Sequence, residues 1–171
     1  MEAKKAQDSF ITMNELVLPN DTNTYGDLMG GKLMYWMDIA AYLSAAKHCN
    51  SSCMTASVDN LSFKSSIKLG NVICIEAIVT RAFNTSMEIH LKVWNQNMVS
   101  QTRELSNEAF FTFVALDENR KPKKVPAIIP ETDEQKKYFE SALRRRQLRF
   151  ILAGKMNPDE APELKALFVN D

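Results

Sequence analysis

The sequence predicts an α+β fold in which a curled antiparallel sheet surrounds a central buried helix, with a helical tail at the C-terminus. The segment from about Gly31 to Lys47 is apolar on almost every face, which is typical of a buried helix. Several segments between residues 54 and 116 alternate apolar and polar side chains with the period of a strand. The connections between these strands are short and therefore favour antiparallel neighbours, because parallel pairs need long crossovers.

The strand predictions rest on particular alternations. Met87, Ile89, Leu91 and Val93 alternate with polar or larger residues, and a shorter alternation runs from Ser9 to Val17. The segment from Leu105 to Leu116 is apolar on both phases, as expected for a strand that is covered on both faces. In the strand that begins near Met54 the apolar phase shifts, which predicts a β-bulge near Asn60.

The tail has a different pattern. The segment from Glu131 to Ala153 begins with acidic residues and ends with several arginines, which agrees with the helix dipole. A short second helix is expected within the range from Asn157 to Val169. We therefore expect one sheet-and-helix domain over residues 1–130 and a helical extension over residues 131–171.

Composition excludes several classes of protein. Lys+Arg and Asp+Glu each total 21, so no overall basic excess indicates nucleic-acid binding. The longest apolar stretches are far shorter than a membrane span, and the N-terminus MEAKKAQDSF lacks the apolar core of a secretory signal. The odd cysteine count of 3 suits a reducing compartment. We expect a cytoplasmic protein that binds neither nucleic acid nor membranes.

A metal site is the less favoured reading of the cysteine-rich segment. The cluster from His48 to Cys53 has metal-ligand residue types, but it offers few ligands and has no second pair elsewhere. The other histidine, His90, falls in a strand pattern and is expected to face solvent. A helix end followed by a loop is the favoured interpretation, and no metal is expected.

Asp38 is the acidic residue that does not suit a core. It is the only acidic side chain between Asp27 and Asp59 and lies in the middle of the apolar helix. A buried carboxylate is kept either because internal partners satisfy it or because it has a function. Gly30 and Gly31 lie about two turns upstream, where free amides at a helix N-terminus could hold the oxygen of a carbonyl under attack. This combination favours acyl-transfer chemistry.

Four separated blocks carry a family resemblance. The run LPNDTNTYGDLMGGKLMYWMD (Leu18 to Asp38) is followed in order by TASVDNLSF (Thr55 to Phe63), NTSMEI (Asn84 to Ile89) and EAFFTFVALDENRKP (Glu108 to Pro122). Together they resemble the bacterial acyl-CoA thioesterases related to brain-type acyl-CoA hydrolase. The resemblance implies a hotdog fold, hydrolysis of acyl-CoA to a free acid and coenzyme A, and no further cofactor. It also implies a dimer with active sites at its interface, and commonly a trimer of dimers.

The resemblance further implies roles for individual residues. Asp38 would act as a base for water or as a nucleophile, the backbone N–H near Gly31 would hold the thioester oxygen, and Asn23 would contribute from the opposite subunit. Thr85 and Ser86 resemble the segment beside the pantetheine arm, and Phe63 would line the same groove. Cations for the coenzyme A phosphates are expected from the cluster Arg144, Arg145 and Arg146, with Arg81 as the alternative.

Three other functions are compatible with parts of the pattern. A non-catalytic acyl-CoA-binding module would keep the fold without turnover, although it has no need of a costly buried carboxylate. A hotdog dehydratase would need a histidine paired with the acid, and neither His48 nor His90 stands in a suitable place in the sequence. A scaffold protein without a site would leave the arrangement of Gly30, Gly31 and Asp38 unexplained.

Overall fold

The computed structural model describes residues 1–59, 61–62 and 65–168. The strands are β1 (Lys4–Lys5), β2 (Ile11–Leu16), β3 (Ser52–Asp59), β4 (Val72–Ala82), β5 (Ser86–Asn97), β6 (Thr102–Leu116) and β7 (Ile128–Ile129). The helices are α1 (Gly30–Cys49), α2 (Asp133–Leu152) and α3 (Pro162–Lys165).

The main sheet has five antiparallel strands in the order β2-β4-β5-β6-β3. Its centre consists of two successive hairpins, β4–β5 and β5–β6, as the short connections predicted. β2 and β3 form the two edges, and β1 and β7 form a separate small parallel pair. The predicted α+β fold with an antiparallel sheet and a long central helix is confirmed.

Strand β5 shows how alternation positions the core. Met87, Ile89, Leu91 and Val93 are all buried on the face of the sheet that packs against α1. Because successive side chains of a strand point to opposite faces, Glu88, His90 and Lys92 belong to the other face. The sheet therefore has an inner face that contacts α1 and an outer face.

Helix α1 buries one side in this core and leaves another uncovered in the single chain. The buried residues are Leu33, Trp36, Met37, Ala40, Ala41, Ser44, Ala45, His48 and Cys49. Met34, Tyr35, Tyr42 and Leu43 are exposed although they are large and apolar. We expected this helix to be buried on all faces, and within one subunit it is buried on one side only. None of the described residues covers the other side.

Helix α2 covers the outer face of the sheet. It begins after a capping box in which Gln135 N donates to the side chain of Thr132, and the Gln135 side chain accepts from the Thr132 amide. Arg145 then reaches down to Glu88, which is completely buried. The predicted helical tail is present, and the second helix within it is the short α3.

Two details differ from the sequence-based expectations. The bulge in β3 lies between Thr55 and Ser57, not near Asn60, which falls outside the described residues. His90 is 3% exposed instead of facing solvent, because Tyr138 of α2 packs against its ring. Among the helices of the described residues, none combines the length and apolar character that a membrane crossing requires.

Candidate active site

Asp38 lies on α1 at the margin between the buried side and the uncovered side, and it is partly buried. Its Oδ1 accepts a hydrogen bond from the hydroxyl of Thr55 on β3, at 2.6 Å. Thr55 pairs with Phe113 of β6, a buried inner-face residue, so Thr55 also points towards α1. The bond fixes one carboxylate oxygen of Asp38 and leaves Oδ2 without a protein donor among the described residues.

The start of α1 presents free backbone amides. No side chain caps the helix, and the amides of Lys32 and Leu33 donate to the carbonyl of the N-cap residue Met29. The preceding amides of Gly30 and Gly31 donate to no acceptor among the described residues. A Cβ added at Gly31 would meet no atom within 4 Å, so the space beside this amide is open. Free amides at the positive end of a helix dipole suit a developing oxyanion.

Asn23 lies in the loop that leads into α1. Its Oδ1 accepts from the amides of Tyr25 at 2.9 Å and Asp27 at 3.2 Å, which is an Asx-type turn. The side-chain oxygen is therefore used locally, and the exposed amide nitrogen is left to donate. Asn23 and Gly30 line one pocket of about 350 Å³.

Asp21 caps the loop that leads into α1. Its Oδ2 accepts from the amide of Leu18 at 3.0 Å, and its Oδ1 forms a salt bridge with Lys32 at 3.1 Å. The bond from Leu18, assisted by Lys32, holds the pKa of the Asp21 carboxyl below its ordinary value. Asp21 shapes the loop that carries Asn23 and is already engaged on both oxygens.

Within one chain the candidate site residues form two separate groups. Asn23 shares its pocket with Gly30, whereas Asp38 meets Thr55 on the uncovered flank of α1. Thr55 was missed as a site residue in the sequence, although it opens one of the blocks that carry the resemblance. Its membership of that block was the only feature of the sequence that pointed to Thr55, because its contact with Asp38 depends on how β3 packs beside α1.

Thr85 and Ser86 line a second pocket, on the outer face of the sheet. It measures about 320 Å³ and is also lined by Arg146, Arg149 and Lys155. Arg146 donates to Ser86 Oγ at 3.3 Å and stacks on the rings of Phe83 and Phe150, but it has no carboxylate partner among the described residues. Burial, followed by repulsion from Arg149, holds the pKa of Arg146 below its ordinary value.

Two hydroxyls of residues that line the same pocket have no hydrogen-bond partner in the described part of the chain. They are Ser57 Oγ and Thr112 Oγ1, and both atoms are buried. They pair across β3 and β6, which places them on one face of the sheet. Buried polar groups are normally satisfied, so these two hydroxyls leave unused hydrogen-bonding capacity next to the pocket that Arg146 lines.

Arg145 does not belong to that pocket, which corrects its assignment as a phosphate ligand. Its Nε and one terminal nitrogen bind the two oxygens of Glu88 at 3.0 and 2.7 Å. The remaining donors bind Ser141 Oγ and the Tyr138 carbonyl, and the guanidinium stacks on Phe110. Arg145 is consumed by an internal ion pair, so Arg146 is the arginine of the predicted cluster that faces Ser86. Phe63 lies outside the described residues.

The two histidines are placed away from Asp38. His48 Nε2 bonds to the carbonyl of Pro126 at 2.9 Å near the end of α1. His90 Nε2 bonds to Glu108 Oε1 at 2.9 Å on the outer face. Within one chain neither histidine bonds to Asp38, so neither is placed as the partner that dehydration needs. Among the described residues no group of three or more His, Cys, Asp or Glu side chains is positioned to hold a metal ion.

Comparison with known proteins agrees with this fold. The thioesterase superfamily model matches residues 25–101. The chain is 39% identical over 144 residues to YkhA of Bacillus subtilis, described as an uncharacterised acyl-CoA thioester hydrolase, with 84% of each chain covered. It is 40% identical over 143 residues to mouse acyl-coenzyme A thioesterase 11, covering 84% of this chain but only 24% of that protein.

Solved structures show the same architecture. An apo-hexameric acyl-CoA thioesterase superposes with a TM-score of 0.87 and 40% identity, covering 90% of this chain and 98% of the other. A Staphylococcus aureus acyl-CoA hydrolase in complex with butyryl coenzyme A, coenzyme A and coenzyme A disulfide superposes with a TM-score of 0.82 and 33% identity, covering 90% and 95%. The chain belongs to the thioesterase superfamily, as a hotdog-fold member of its acyl-CoA thioester hydrolases.

Proposed function

We propose that this protein hydrolyses acyl-CoA thioesters to a free acid and coenzyme A. The observation that carries the proposal is the placement of Asp38, held by Thr55, on the same helix whose first amides at Gly30 and Gly31 are free. A thioester is already reactive, so its hydrolysis needs a positioned water, a base and a polarised carbonyl. The similarity to acyl-CoA thioester hydrolases supports this substrate class.

In the proposed reaction the thioester oxygen accepts hydrogen bonds from the amides at the start of the partner subunit's α1. Within one chain Gly31 lies seven residues, about 10 Å, from Asp38 along the helix, so the two cannot reach the same carbonyl. Asp38 then takes a proton from water, whose oxygen adds to the carbonyl carbon, or attacks that carbon directly through its own oxygen. Collapse of the adduct breaks the carbon–sulfur bond and releases the coenzyme A thiolate, which gains a proton. If Asp38 is the nucleophile, this leaves a mixed anhydride on its carboxylate, and water then adds to the acyl carbon and releases the free acid. The hydroxyl of Thr55 holds Oδ1, so Oδ2 is the oxygen assigned to the chemistry. No further cofactor takes part.

We propose that Asn23 acts across a dimer interface, where its free amide nitrogen donates to the water or the substrate carbonyl of the partner's site. The interface is assigned to the edge strand β3, which exposes Met54 and Val58, and to the uncovered side of α1 with Tyr35 and Tyr42. An unpaired strand edge beside exposed apolar side chains is typical of an association surface. Dimers would assemble further as a trimer of dimers, a state supported by similarity to a hexameric thioesterase.

The phosphate end of coenzyme A is assigned to the pocket lined by Thr85, Ser86, Arg146, Arg149 and Lys155. Support comes from the guanidinium of Arg146, which is unpaired with any described carboxylate, and from the two unsatisfied hydroxyls beside it. Phosphate oxygens accept hydrogen bonds from both kinds of donor. We further propose that the protein works in the cytoplasm, which suits its free cysteines.

Thiol release from a panel of acyl-CoAs tests the activity, with Asp38→Asn as the key variant. We expect the parent to release thiol and Asp38→Asn to lose at least about a hundredfold in kcat, because the amide is neither a base nor a nucleophile. Asp133→Asn is the matched control, since that carboxylate is fully exposed at the start of α2. Equal rates for parent and Asp38→Asn would remove Asp38 from the mechanism. Binding without release from any chain length would favour the non-catalytic acyl-CoA-binding module.

A further inference from the structure

Two cysteines approach each other where α1 ends and β3 begins. Cys49 is the last residue of the helix and Cys53 is the second residue of the strand. The chain reverses between them through Asn50, which adopts the left-handed conformation with a φ of 49°. This reversal brings the two Sγ atoms to 3.3 Å from each other, and both also lie 3.5 Å from the Ser51 carbonyl oxygen.

The surroundings activate one of these thiols. A hydrogen bond from Cys53, followed by backbone hydrogen bonds at Ser51 and Cys49 and then the positive charge of Lys123, holds the pKa of Cys49 at about 7, below its ordinary value of 9.0. Cys49 is itself only 5% exposed, but it lines a surface pocket of about 340 Å³ together with Lys4 and Lys123, which gives a small reagent a path to it. Thiolate character and access to solvent are the two properties that make a cysteine reactive.

The remaining cysteine provides an internal comparison. Cys74 lies in β4 and is as buried as Cys49, but it has no sulfur partner among the described residues. Burial raises the pKa of its thiol, opposite to the direction at Cys49. Non-specific oxidation would modify all three cysteines alike. Oxidation at a specific dithiol site would modify Cys49 and Cys53 and leave Cys74 unmodified.

We propose that Cys49 and Cys53 form a peroxide-reactive dithiol that closes reversibly to an intramolecular disulfide. The Cys49 thiolate attacks a peroxide oxygen, the O–O bond breaks, and hydroxide leaves with formation of a sulfenic acid at Cys49. Cys53 then attacks that sulfur, the S–O bond breaks, and water leaves. In total two thiols and one hydrogen peroxide give one disulfide and two waters, and an added dithiol reverses the reaction.

The disulfide would join the same two elements that the bond from Thr55 to Asp38 joins. Cys49 lies on α1 with Asp38, and Cys53 lies on β3 with Thr55. Cys53 and Thr55 pair with Ala115 and Phe113, two buried inner-face residues of β6, so both point towards α1. Oxidation therefore places a covalent link between the same helix and edge strand that carry Asp38 and Thr55. The proposal concerns the sulfur chemistry and does not depend on the proposed hydrolysis.

Tryptic mapping of the native protein tests the dithiol directly. Cleavage after Lys47 and Lys64 produces a peptide, 48–64, that contains Cys49 and Cys53, while Cys74 falls in the separate peptide 69–81. After treatment with equimolar hydrogen peroxide and alkylation, we expect the first peptide to be about 2 Da lighter than its unmodified dithiol form and unalkylated. Dithiothreitol should restore both alkylation sites, and Cys74 should show no oxidation throughout.

Serine variants distinguish the order of the steps. Cys53→Ser keeps a hydroxyl donor to Cys49 but cannot resolve a sulfenic acid, so dimedone should label Cys49 in this variant and not in the parent. Cys74→Ser is the control and should form the disulfide at the parental rate. The proposal would be overturned by peroxide-treated parent protein whose 48–64 peptide remains fully alkylated, by sulfinic acid without a disulfide, by a disulfide between two chains, or by equal modification of Cys74. The parent mapping decides the question even if a variant fails to fold.

Discussion

Thr55 donates a hydrogen bond from its hydroxyl to Oδ1 of Asp38 at 2.6 Å, and this contact joins the edge strand β3 to the central helix α1. In the single chain the pair lies at an uncovered surface, which is also the surface assigned to the dimer interface. Covering it would lower the local dielectric and strengthen the bond. The position of Asp38 in the site therefore depends on both the fold and the assembly.

Replacing Thr55 should reduce turnover. Thr55→Val keeps the shape but removes the donor, so Oδ1 of Asp38 loses its fixed position. A hydrogen bond to a charged group contributes about 1.5–3 kcal/mol, which corresponds to a decrease in kcat of roughly tenfold to a hundredfold. Steady-state thiol release measures this loss. Thr55→Ser retains the hydroxyl and should recover most of the activity, and a Val variant as active as the parent would exclude the bond from catalysis.

Charges on the outward edge of β3 should weaken self-association. Met54 and Val58 are 54% and 38% exposed on this edge strand, and Val58→Asp or Met54→Asp would place a charge in the proposed interface. Sedimentation velocity should show a shift towards the monomer. Val99→Asp is the matched control, because Val99 is 96% exposed in the turn between β5 and β6. An unchanged assembly in both β3 variants would place the interface elsewhere.

Removing the guanidinium of Arg146 should weaken recognition of the coenzyme A phosphates without altering the chemical step. For Arg146→Gln we expect KM for an acyl-CoA to rise roughly tenfold with kcat nearly unchanged, as for the loss of a uniform binding interaction. An acyl-N-acetylcysteamine thioester lacks the phosphates, so its KM should not change. Equal effects on both substrates would indicate a structural role for Arg146 instead.

Breaking the ion pair between Arg145 and Glu88 should destabilise the protein strongly. Arg145→Leu leaves Glu88, which is fully buried, without its cation, and such an uncompensated charge costs about 3–5 kcal/mol. Denaturant unfolding measures the resulting decrease in the free energy of unfolding. Lys92→Met is the control, because Glu134 in the Lys92–Glu134 pair is 61% exposed and the pair is worth less than about 1 kcal/mol. Similar losses of unfolding free energy in both variants would contradict the claim that the buried Arg145–Glu88 pair matters more than the exposed Lys92–Glu134 pair.

Acidification should destabilise the fold through its buried histidines. Burial lowers the pKa of both His48 and His90 below the ordinary value of 6.5. Between the folded and unfolded pKa values the unfolded chain binds more protons, so this stability is present above about pH 6.5 and is lost as the pH falls below it. His48→Gln keeps a donor towards the Pro126 carbonyl but cannot titrate, so its Tm should depend less on pH between about 5.5 and 7.5. An identical pH dependence of Tm in parent and variant would show that titration of His48 does not contribute to the acid destabilisation.

Some features were predictable because they are local. The alternation around Ile89 indicated both the strand and its buried face, and the apolar run around Asp38 indicated the central helix. Short connections indicated the hairpins on either side of β5. The division into residues 1–130 and 131–171 stays a prediction, and the ion pair between Arg145 and Glu88 ties the two parts closely together.

The sequence by itself therefore determined the type and order of the main elements and singled out the carboxylate of Asp38, because periodicity and charge are written along the chain. The tertiary structure decided that Thr55 meets Asp38, that α2 buries His90, and that Arg145 is used internally while Arg146 faces the pocket. These outcomes depend on strand register, on the bulge between Thr55 and Ser57, and on which helix covers which face of the sheet. Distant segments set such relationships jointly when they pack, so no local pattern contains them.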